Sequence, residues 1–116
     1  MNLREKILSI KLKQEVVIIP EWGDVEVTVR ELSAGELEQV NKVYKDQGPV
    51  ASQAQALVFA VLDEDGTQVF KQEDAELLVD ASNVAVNTLY MKATELSGIE
   101  LKKIKDSQAT SEPTTG

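Results

Sequence analysis

The pattern of apolar and polar positions changes its period once, at Ser33. Before it, Val16-Val17-Ile18-Ile19 is a short β-branched run that Pro20 stops. Gly23-Asp24 then reverses the chain, and Val25, Val27 and Val29 alternate with Glu26, Thr28 and Arg30. Period two places the valines on one face of a strand and the polar residues on the other. The expected element is an antiparallel hairpin over 16–30, and Ile10, Leu12 and Gln14 are spaced to lengthen its first strand. Two strands alone are marginal in water, so the valine face needs a cover.

Beyond Ser33 the period is that of helices. Ser33 and Glu36 stand three apart, as a capping box requires, and Leu37, Val40 and Tyr44 follow on one stripe. Gln47-Gly48-Pro49 ends that helix, because proline cannot continue the ladder. Val50–Leu62 is the most apolar helical stretch, with Ala54, Leu57, Val58, Val61 and Leu62 on one wide face. Thr67–Phe70 reads as a short extended piece that lays Val69 or Phe70 on the core. Leu77, Leu78 and Ala81 form the buried side of the next helix, and Val86, Leu89, Tyr90, Ala93 and Leu96 that of the last, which Ser97-Gly98 closes. Upstream, Asn2 is placed to cap a short helix carrying Leu3, Ile7 and Leu8. That arm either docks on a partner or, the simpler reading, packs on the hairpin. The fold class is therefore α+β, an N-terminal antiparallel β-hairpin packed against a small bundle of three to four amphipathic helices. Residues 1–98 form one domain, and 99–116, ending in Ser, Thr, Pro and Gly, a flexible C-terminal tail.

Composition narrows the chemistry. In 116 residues there is no cysteine and no histidine, which removes disulfides, the usual zinc sites and Cys–His or Ser-His-Asp catalysis. Aromatics are 4% of the chain, so the core has to be aliphatic. The net charge of −8 is uneven: residues 1–19 hold four Lys or Arg against two Glu, residues 20–98 five against fifteen acidic. An acidic body lacks the basic stripe that nucleic acid requires and is repelled by anionic membranes. No stretch approaches the length of a membrane span, and no apolar region follows the N-terminal charges as in a secretory signal.

Two acidic stretches deserve a chemical test. Laid on a calcium loop, Asp63, Asp65 and Gly66 take positions three, five and six, but Val61 and Gln72 fall where charged ligands belong. An acidic turn is the expectation, with no metal or cofactor bound. Glu73, Asp74 and Glu76 crowd a helix start, where carboxylates suit the dipole, and no base stands beside them. No convergent catalytic set is present, so an enzyme is not expected.

Several pieces in order resemble the tail assembly chaperones of long-tailed bacteriophages. They are Leu3-Arg4-Glu5-Lys6-Ile7-Leu8, then Pro20-Glu21-Trp22-Gly23 leading into Val25–Arg30, Ser33 with Glu36, Leu62–Gly66, Phe70, Glu73–Leu78 and Glu95–Gly98. Together they cover residues 2–98; the departure is Lys71, where a Ser or Thr cap belongs. The resemblance implies a non-enzymatic protein, in the short form of its family, that binds the phage tape-measure protein and keeps it soluble. It further implies recruitment of the tail-tube protein, self-association, and action in the host bacterial cytoplasm with absence from the mature virion. The alternative is a minor structural component of the tail or head–tail junction. Trp22 is either a lid over one end of the hairpin or an exposed docking anchor. Ile99, Leu101 and Ile104, among Lys102, Lys103 and Lys105, either dock on a partner or fold back on the helices.

Overall fold

The computed structural model describes residues 2–98. Strands β1 (Gln14–Ile19) and β2 (Val25–Arg30) pair antiparallel with Val17 opposite Val27 and Ile19 opposite Val25. Between them a 3-10 turn, Pro20–Trp22, leads into Gly23 and Asp24, both at positive φ (76° and 60°). Glycine enters that region without a Cβ clash, and aspartate is among the few other residues that tolerate it. The hairpin register puts Val17, Ile19, Val27 and Val29 on the inner face and leaves Val16 and Ile18 outside.

The sheet has a third strand that periodicity assigned to a helix. Helix α3 (Pro49–Ala60) stops two residues early, and β3 (Val61–Leu62) pairs antiparallel with β2, Val61 opposite Val29. Both residues are buried either way, so their burial pattern alone does not separate the two conformations. The return of the chain decides it. The Asp63 N–H donates to the Thr67 carbonyl (2.9 Å) and the Val69 N–H to the Val61 carbonyl (3.2 Å), which turns 61–69 into a small hairpin of its own. The sheet order is β1-β2-β3, with β2 central.

Helix α2 (Ala34–Gln47) begins at the expected capping box: Ser33 Oγ accepts from the Glu36 N–H and Glu36 Oε1 from the Ser33 N–H. Arg30, the last residue of β2, grips the same carboxylate with two bonds of 2.7 Å and donates a third to the Glu31 carbonyl (2.9 Å). A bidentate fork fixes orientation as well as distance, so the angle between sheet and helix is set here. Helix α3 lies in the middle of the molecule, against α2, α4 (Ala75–Val79) and α5 (Asn83–Leu96). Helix α5 crosses the inner face of the hairpin. Its end is anchored by Ser97, whose hydroxyl accepts from the Leu32 N–H (2.9 Å) and donates to the Ala93 carbonyl (2.6 Å). Lys92 adds ion pairs to Glu15 and to Glu95. The core is aliphatic as composition requires: Ile19, Val29, Leu57, Val61 and Leu89 are essentially inaccessible.

Three expected packings fail. Helix α1 (Leu3–Leu8) forms with the Asn2 cap, Asn2 Oδ1 accepting from the Glu5 N–H (2.8 Å), but buries nothing, so the arm does not pack on the hairpin. Tyr44 is exposed; α2 turns Leu37 and Val40 inward and lets the phenol reach water, which its hydroxyl favours. In α4, Leu78 is buried and Leu77 is not, because neighbours on a helix point about 100° apart and a five-residue helix has room for one inward leucine.

Two outcomes follow. Leu57→Ala or Leu89→Ala should lower unfolding free energy in urea by about 2–5 kcal/mol, while Leu77→Ala should stay within about 0.5 kcal/mol. Arg30, by its hydrogen bonds, holds the Glu36 carboxyl below the usual carboxylate range. A lowered folded pKa stabilises above the unfolded value and ceases to do so as pH falls through the folded one. The melting temperature should therefore fall on acidification through that window, and Glu36→Gln should flatten the acid limb.

Candidate functional site

Of the carboxylates marked by the sequence, Asp63 and Asp74 are engaged in backbone structure. Asp63 Oδ1 accepts from the Asp65 N–H (2.9 Å) and the Thr67 N–H (3.0 Å), and Gly66 completes the turn at φ 84°. This is an aspartate-stabilised turn, the expected form of that stretch. Asp74 Oδ2 accepts from the Lys71 N–H (2.8 Å) across the 3-10 turn Gln72–Asp74. Asp74 thus satisfies an N–H at the helix entrance from inside the turn, which explains how lysine is accommodated where a Ser or Thr cap belongs. Among the described residues no group of three or more acidic side chains is arranged to hold a metal ion.

The candidate site is instead an apolar groove beside the hairpin turn, of about 460 Å³, lined by Trp22, Phe70, Asp74, Leu77, Leu78 and Ala81. Three separate elements build it. The turn Pro20–Trp22 brings the indole to the end of the sheet, where it packs half-buried against the core. The chain returning from β3 contributes Phe70, also half-buried, while Val69 stays in water. Helix α4 supplies Leu78 for the floor and Leu77 for the rim, and Leu77 is 70% exposed. A second hollow shares Asp74 and Leu77 with the groove and is lined further by Lys71, Glu73 and Glu76, so the apolar floor has an acidic border.

The Gln55 and Gln72 amides exchange two hydrogen bonds, 2.9 and 2.6 Å, and hold the start of this segment on α3. Gln55 is buried in α3, one turn after buried Ser52, and its partner removes the cost of an unpaired amide. Among the described residues no buried side-chain polar atom lacks a partner. The start of the segment leading into α4 is thereby tied to the central helix.

Trp22 is half-buried: it packs against the core, as a lid over the hairpin end would, and also lines the groove. Ile99, Leu101 and Ile104 lie outside the described residues. Leu77 and Phe70 are the groove residues that sequence reasoning missed as a surface. The available signal was the Leu77-Leu78 pair on a helix too short to bury both.

No protein-family model matches the chain, and no curated protein matches it. Among solved structures the fold is similar to that of a phage tail assembly chaperone. One similar structure is the tail assembly chaperone of bacteriophage HK97, with a TM-score of 0.66 and 21% identity over 80% of this chain and 91% of that one. At that identity the likeness establishes the fold, α+β with the N-terminal hairpin under helices. Among the described residues no helix is long and apolar enough to cross a membrane.

Replacing the half-buried indole tests its packing role. Trp22→Ala should cost about 1–3 kcal/mol in chemical denaturation, below the range of a fully buried tryptophan. A change under about 0.5 kcal/mol, the level of ordinary surface substitutions, would reduce Trp22 to a surface side chain.

Proposed function

We propose that this chain is a phage tail assembly chaperone. It binds the tape-measure protein, keeps that protein's apolar helices soluble and helps recruit tail-tube subunits around it. It acts in the host bacterial cytoplasm, catalyses no reaction and is absent from the finished particle. The observation that carries this reading is the shared fold with the HK97 tail assembly chaperone over 80% of the chain. The surface supports it physically. A protein that masks apolar helices needs exposed apolar residues of its own, and Val16, Ile18 and Leu77 are such residues. The complex also has to repel its own kind, which a net charge of −8 favours.

The test is co-expression with the tape-measure protein of the same phage. That protein should be insoluble when produced alone, and soluble and co-purifying in the presence of this chain. Mass spectrometry of mature particles should find the chain missing. A tape measure that stays insoluble and unbound, or a chain retained in mature particles, contradicts the proposal.

A further inference from the structure

We propose that the C-terminal segment 99–105 docks on the outer face of strand β1 in its own chain and covers Val16 and Ile18. This inference does not depend on client binding. It rests on what the sheet leaves bare and on where the chain goes next. The outer face of the sheet is unevenly covered: Leu62 of β3 is buried and Thr28 of β2 half-buried, whereas Val16 and Ile18 of β1 are 56% and 57% exposed. Leu12 continues the same alternation two steps back and is exposed as well. Among the described residues β1 pairs only with β2, so this aliphatic strip runs along an open edge. Such an edge invites pairing with other chains unless something covers it.

The last helix ends beside the start of the strip. Ser97 is bonded to the Leu32 N–H, and Lys92, earlier on α5, pairs with Glu15 of β1, so the C-terminal end of α5 leans over the β1 edge. With Gln14 opposite Arg30, Leu32 stands level with Leu12. From Leu12 to Ile18 the strip is about 20 Å long. Stretched, the four residues from Ser97 to Leu101 span about 13 Å and the seven to Ile104 about 23 Å. Leu101 therefore comes alongside Leu12 and Val16, and Ile104 reaches Ile18 with chain left to round the edge. The groove at Trp22 lies past the far end of the hairpin. The strand from Leu32 to Val25 alone takes about 23 Å, which puts Ile99 and Leu101 out of its reach.

Charge fixes the direction. The strip begins beside Lys11 and Lys13 and ends toward Glu26, the partner of Ile18 in the pairing, with Glu21 and Asp24 in the turn beyond. The tail carries the opposite order, Glu100 first and then Lys102, Lys103 and Lys105. Laid parallel to β1, it sets Glu100 by the strip's lysines and its own lysines by the three carboxylates. At physiological salt such charges act over about 8 Å, so they select this alignment while the aliphatic contacts hold it. The tail is then a cover over Val16 and Ile18, and a partner that takes those residues displaces it.

Nuclear magnetic resonance on the isotopically labelled full chain tests this from both sides. In one variant Ile99, Leu101 and Ile104 are each changed to Ser; in the other, Ile18→Ser alters the strip. Circular dichroism should show both folded, since Ile18 is exposed and the tail substitutions lie outside the core. In the unchanged chain the backbone amides of 99–105 should relax with the body of the protein. Both variants should lose this and give those amides the fast motion of a free chain end. The tail variant should also shift the amide resonances of Val16, Ile18 and Glu26, and leave Leu77 and the Trp22 indole where they were. Dilution should change none of this, as a contact within one chain requires. Free motion of 99–105 in the unchanged chain overturns the proposal. So do shifts confined to Leu77 and Trp22, which would place the tail in the groove, and a dependence on concentration, which would assign the contact to a second copy. An Ile18→Ser chain whose tail stays ordered would sink it likewise.

Discussion

The dry inner face of β2 is the constraint on which the rest of the structure depends. Val29 is wholly buried, pairs with β1 on one side and with Val61 of β3 on the other, and lies beneath α5. A hairpin alone would leave this valine at an open edge in contact with water. Adding two residues of β3 closes the second edge, and laying α5 across closes the face. Each neighbouring joint then fixes one member of this arrangement. Arg30 and Glu36 set where α2 leaves the sheet, and Ser97 ties the end of α5 to Leu32. Gln55 and Gln72 hold the segment before α4 against the central helix.

That economy leaves apolar residues over. The fold is satisfied by one face of the sheet, one stripe each of α2 and α5, and α3, which is buried on most sides. Val16 and Ile18 on the outer face, Leu77 on α4 and the whole apolar side of α1 contribute little to it. A small acidic chain that exposes this much aliphatic surface is suited to covering apolar partners. The proposed function draws on that surplus.

Much of the fold was legible because it is encoded locally. The hairpin valines, the Ser33–Glu36 box, the Gly48-Pro49 break and the α5 stripe each follow from a period or a cap within a few residues. What escaped was decided at longer range. Val61 and Leu62 fit a helix and a strand equally well, and hydrogen bonds from residues up to eight positions later choose the strand. Leu77 and Leu78 look alike in sequence; which of them is buried depends on α4 being only five residues long. The exposed arm is a related case, since its apolar spacing shows that a cover is needed and says nothing of whose surface provides it. The groove was half legible. Trp22 stood out as the one tryptophan in an aromatic-poor chain, whereas Phe70 and Leu77 join it only through the return from β3. The resemblance across residues 2–98 implied the α+β fold that the structural likeness then established.

The central claim is that the fold is complete without the residues it leaves exposed, and amide hydrogen exchange tests it most directly. The variant with Leu3, Ile7 and Leu8 changed to Ser is compared with the unchanged chain at a concentration where both are monomeric. Protection in β2, α3 and α5 should be the same in the two proteins, because the most protected amides report global stability and α1 adds none. A loss of protection in those three elements would mean that the arm is part of the core, and would contradict the account.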